Sequence, residues 1–73
     1  MYRRIKDLRE DADLSQRQMA EKLNCSQQTY SNYETGARTI PPEILVQLAR
    51  IHNTSVDYLL GLTDVKESYS RKR

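Results

Sequence analysis

A single cysteine, Cys25, rules out a disulfide within these 73 residues and suggests a reducing compartment, the cytoplasm if the source is bacterial. No apolar run approaches the ~20 residues of a membrane span, and the amino terminus lacks the apolar stretch of a secretion signal. Glycine and proline occur twice each, with no glycine-rich phosphate loop and no Gly/Ser linker. Histidine occurs once, at His52, so neither a metal-ligand cluster nor a Ser/His/Asp arrangement is expected, and enzyme chemistry finds no foothold. No segment alternates as a strand would. One small all-α domain remains, near the size at which a single core suffices.

Charge of one sign is also scarce. Residues 1–62 hold eight basic and eight acidic side chains. The net +2 comes wholly from residues 63–73, where Lys66, Arg71, Lys72 and Arg73 face Asp64 and Glu67. General attraction to a polyanion therefore has little behind it, and any electrostatic footprint must come from how charge is distributed. We read residues 1–62 as one domain and residues 63–73 as a short polar, basic tail. The final YSRKR reads as a solvated end, with a phosphate-binding arm as the alternative.

Helical periodicity is abundant. A first helix runs from about Tyr2 to Ala12, with Ile5, Leu8 and Ala12 as its apolar stripe. Ser15 and Gln18 are spaced as a capping box, and Leu14 and Met19 as a hydrophobic staple, for a second helix over Gln16 to Leu23. Asn24 tolerates the left-handed backbone that ends it. Ser26 caps a third helix from Gln27 to about Thr35, closed by Gly36. Pro42 opens a fourth to about His52, with Ile44, Leu45, Leu48 and Ile51 inward. Ser55 caps a short fifth carrying Val56, Leu59 and Leu60 before Gly61.

The stretch Ser15 to Gly36 carries the functional signal. In the third helix Gln27, Gln28, Ser31 and Asn32 fall within a sector of roughly 140°, nearly opposite Tyr30 and Tyr33. Uncharged amides and hydroxyls on an exposed helix suit the donor and acceptor edges of bases in a major groove. A helix, a three-residue turn and a second helix would hold that face proud of the surface, with Ala20 small enough for close approach. Read blandly, an amide-rich face is only a solvated one, but the cap, turn, small residue and glycine stop all lie in register. Tyr30 and Tyr33 could stack on bases, yet their i, i+3 spacing on the inner side favours packing. Cys25 reads as a small apolar turn residue rather than a redox or metal site, and His52 as a helix-end residue meeting terminal carbonyls.

From Leu14 to Arg38 the pattern L-S-Q-x-x-x-A-x-x-L-x-x-S-x-x-x-Y-S-x-Y-E-x-G-x-R resembles the helix-turn-helix of phage repressor and Cro-type (XRE-like) regulators. The likeness continues through Pro41 to S-V-D-Y-L-L-G (Ser55–Gly61) and covers about residues 3–62. It implies a compact five-helix bundle, lambda repressor-like, that binds double-stranded operator DNA as a homodimer without a cofactor. By similarity, Gln27, Gln28 and Asn32, with Ser31 beside them, match base-reading positions. Gln16 matches a position that hydrogen-bonds a phosphate. Arg17, Ser26, Tyr33 (through its hydroxyl), Arg38 and Thr39 are further expected backbone contacts, and Arg9 and Glu34 match a structural ion pair. Asn24, Cys25 and Tyr30 depart from the family's usual glycine, valine-like and aliphatic residues, and the Tyr30 hydroxyl needs a partner or solvent. The expected function is sequence-specific repression of phage or mobile-element type. The alternative is an antitoxin or anti-repressor-type module whose fifth helix and tail bind a regulatory protein partner.

Overall fold

The computed structural model describes residues 3–66, so the amino-terminal start of the first helix at Tyr2 and the YSRKR segment lie outside the described residues. Five α-helices follow one another: α1 (Arg3–Asp11), α2 (Gln16–Leu23), α3 (Gln27–Thr35), α4 (Pro42–Ile51) and α5 (Val56–Leu59). There is no strand among the described residues. The all-α, five-helix expectation holds.

Local chemistry explains most boundaries. Ser15 accepts from the Gln18 amide at 3.0 Å while Gln18 accepts from the Ser15 amide at 2.8 Å, which satisfies two amino-terminal donors of α2 reciprocally. Asn24 ends α2 in the left-handed region at φ 59°, ψ 45°. Gly36 does the same for α3 at φ 84°, where a Cβ would be strained. Pro42 occupies the start of α4, where its missing amide costs nothing.

Ala12, expected on the apolar stripe of α1, and Leu60, expected within the fifth helix, both lie outside instead. Ala12 is exposed, because α1 closes after Asp11 and the chain swings through a left-handed Asp13 at φ 61°. Leu60 is 39% exposed, since α5 lasts one turn and Leu60 is already its cap.

Ile5, Met19, Tyr30 and Leu48, from four different helices, are the largest fully buried side chains. Leu8, Ala20, Leu23, Tyr33, Ile40, Ala49 and Leu59 complete the core around them. The most extensive helix pair is α2 with α3, and the buried Ala20 lies within it. Fixing that pair fixes how α3 stands relative to α2.

A second fastening closes the far end of the chain. The Arg4 guanidinium lies 4.2 Å from the Tyr58 ring centroid and donates to the carbonyls of Tyr58 (3.0 Å) and Thr63 (2.5 Å). The Thr54 hydroxyl donates to the Lys66 carbonyl. Residues 63–66 are thereby tied back to α1 and to the α4–α5 connection.

Candidate nucleic-acid interface

The amide face is built from the core outward. Tyr30, Tyr33 and Glu34 are buried, whereas Gln27 and Gln28 are exposed and Ser31 and Asn32 are half-buried at the surface. The inner side chains fix the rotation of α3 and present the amides opposite. Gln28 Nε2 donates to Asn32 Oδ1 at 3.1 Å, joining two of the four candidate readers one helical turn apart. The Ser26 hydroxyl accepts from the Thr29 amide (3.1 Å) and donates to Thr29 Oγ1 (2.9 Å), so it is occupied in capping. Near Ser26, the amides of the first turn of α3 remain as donors for an anion.

The candidate backbone contacts divide by environment. Arg38 and Thr39 are exposed in the segment after α3, where the Arg38 amide donates to the Asn32 carbonyl at 3.2 Å. Arg17 is exposed on α2, 3.7 Å from Glu21 one turn on, a loose pair that leaves it free to turn elsewhere. Tyr33 is buried, so its ring belongs to the core and only its hydroxyl could meet a phosphate. Gln16 is half-buried, and its Nε2 donates to Glu34 Oε1 at 3.1 Å.

Behind this surface lies a buried polar cluster. Arg9 Nε donates to Glu34 Oε2 at 2.6 Å, and the side chains are only 10% and 3% exposed. Arg9 Nη1 also donates to the Leu14 carbonyl at 2.8 Å, fastening the α1–α2 connection. The Tyr30 hydroxyl finds its partner in Glu34 Oε2 at 2.5 Å. Burial alone would raise the Glu34 carboxyl, but hydrogen bonds from Arg9, Tyr30 and Gln16 outweigh it and hold it below its ordinary value. Burial, with the Glu34 bond, pushes the Tyr30 phenol far above its ordinary range, so it stays a donor. Its bond to Glu34 could have been inferred from i, i+4 spacing on one helix face. No sequence signal pointed to Gln16 as a third donor, because that contact spans 18 residues.

Two other groups behave differently from a reactive site. Burial raises the Cys25 thiol, which favours its protonated form over the nucleophilic thiolate. His52 Nε2 is buried without a hydrogen-bond partner among the described residues, so the imidazole does not meet a helix-end carbonyl through that atom as expected. Among the described residues no three His, Cys, Asp or Glu side chains converge, and no helix is long and apolar enough to cross a membrane.

A closely packed α2–α3 pair with an amide-lined outer helix defines the class: residues 5–59 match the Helix-turn-helix family, and the chain belongs to it, in the XRE-type branch of DNA-binding regulators. Three relatives, all from Bacillus subtilis (strain 168), are similar to it. The uncharacterized HTH-type transcriptional regulator YobD is 43% identical over 65 residues, covering 88% of this chain and 58% of its own. The HTH-type transcriptional regulator ImmR is 38% identical over 65 residues, covering 89% and 51%. The uncharacterized HTH-type transcriptional regulator YqaE is 36% identical over 56 residues, covering 77% and 48%. The chain thus spans about half the length of these relatives.

Proposed function

We propose that this chain is a sequence-specific, double-stranded-DNA-binding transcriptional repressor of phage or mobile-element type, acting in the cytoplasm as a homodimer on a pseudo-palindromic operator. The observation that carries the reading is the α3 surface: Gln27 and Gln28 exposed, Ser31 and Asn32 beside them, above a buried tyrosine pair. Gln27, Gln28, Ser31 and Asn32 read base edges, and an amide bidentate to adenine places A·T pairs in each half-site. Gln16, Arg17, Arg38, Thr39, the Tyr33 hydroxyl and the helix amino termini near Ser26 set register on the phosphates. Two copies reach successive major grooves ~34 Å apart, and bound protein excludes polymerase from an overlapping promoter.

Residues 1–62 form the DNA-binding domain in this reading, with residues 63–73 as its tail. Exposed Val46, Leu60, Leu62 and Val65 supply apolar surface for the second copy. The same surface supports a second reading, an antitoxin or anti-repressor-type module that binds a regulatory protein. Selection from a random duplex pool tests both. An enriched palindrome with half-sites one helical turn apart supports the repressor. A pool that returns no common sequence rejects it, and tight binding of one half-site by a monomer rejects the dimer.

A further inference from the structure

Glu34 is shared unequally among three donors, and the inequality has a cause. An arginine edge can grip a carboxylate with two parallel bonds of about 2.7–2.9 Å. Here Arg9 Nε lies 2.6 Å from Oε2, but Arg9 Nη2 lies 3.4 Å from Oε1. The short bond from the Tyr30 hydroxyl falls on Oε2, the oxygen Arg9 already holds closely. Oε1 is left to Gln16 Nε2 at 3.1 Å. The carboxylate can only accept, so Gln16 must turn its amino group inward, and reversing the amide would set its carbonyl against a buried negative charge. Its second N–H then stays available to an acceptor outside.

We infer that Tyr30 is a positioning residue for DNA binding: by skewing the Glu34 carboxylate on Arg9, its hydroxyl reserves one oxygen for Gln16 and orients the Gln16 amide toward a phosphate. Without that hydroxyl the Arg9–Glu34 grip evens out, Oε1 moves toward Arg9 Nη2, and Gln16 loses the acceptor that orients it. Tyr30 stands on the inner face of α3 and touches no base, yet it controls a contact made from α2. The inference rests on Gln16 being a phosphate contact, as in the proposed function.

Duplex affinity of the full chain, on an enriched and on a random sequence, tests this through Tyr30→Phe, Gln16→Ala and the double variant. Each single change should weaken both complexes alike, by about tenfold for a hydrogen bond to a charged group. Adding Gln16→Ala to Tyr30→Phe should cost less than about twofold more. Arg38→Ala should keep its full cost in the Tyr30→Phe background, which general loosening of the fold would not allow. Multiplying effects of Gln16→Ala and Tyr30→Phe overturn the inference, as does an unchanged affinity on Gln16→Ala, while either leaves DNA binding itself intact. Failure of the wild-type chain to bind any selected duplex overturns both. Should Tyr30→Phe not fold, the Gln16 side-chain amide of the wild type decides by NMR. One proton protected from exchange supports the inference, and two rapidly exchanging protons overturn it.

Discussion

Arg4 on α1 lies over the Tyr58 ring at 4.2 Å and donates to the Tyr58 carbonyl at 3.0 Å, so a residue of the first helix closes the last one. A four-residue α5 cannot hold itself by helix energetics and depends on such packing. Arg4→Met keeps the apolar stem and removes the donors and the cation. It should destabilise the domain by about 1–2 kcal/mol, read as a fall of several degrees in Tm by calorimetry. Asp64, 98% exposed, pairs with the same guanidinium, and Asp64→Asn should leave Tm within error.

The Arg9–Glu34 pair should behave asymmetrically under deletion. Glu34→Ala strands a guanidinium among buried atoms and should cost about 3–5 kcal/mol in urea unfolding. Replacing both partners with apolar residues of similar volume should cost much less than the single changes summed. Equal, additive losses would contradict a coupled buried pair.

Acid should act in two stages. Burial, aided by the Lys66 charge, lowers the His52 imidazole below its ordinary 6.5. The unfolded chain therefore binds that proton first. This part of the stability is intact above about pH 6.5 and declines as pH falls from there toward the folded value. Glu34 is held below its ordinary 4.5, so its contribution is full above that pH and is lost as pH falls through the folded value. His52→Gln should flatten the upper stage in a stability–pH profile and leave the lower one unchanged.

Base reading and backbone anchoring should separate in binding assays. Gln28→Ala should weaken the enriched duplex by about 1–3 kcal/mol and random duplex far less. Arg38→Ala should weaken both equally and reduce the salt dependence by about one counterion. Equal losses from both substitutions on both duplexes would contradict the division of roles.

Much of the fold was legible because its boundaries are set locally. Ser15 and Gln18, Asn24, Ser26 and Gly36 act within a few residues of themselves, and each stands where its chemistry requires. Ala12 and Leu60 misled because periodicity says which face a helix would bury, not where the helix stops. The face of α3 was legible for the same reason as the caps: one helix turn relates Gln28 to Asn32 and Tyr30 to Glu34. Contacts that depend on tertiary approach were not. Arg4 to Thr63 and Gln16 to Glu34 join residues 59 and 18 positions apart, and nothing in either neighbourhood announces the other.

The α3 helix is anchored by its later residues, with Tyr30, Tyr33 and Glu34 buried, while Gln27 and Gln28 are exposed at its start. Substitutions at those two positions leave the core untouched. Under the proposed reading, new side chains at these two positions should alter which duplex is preferred while Tm stays within error.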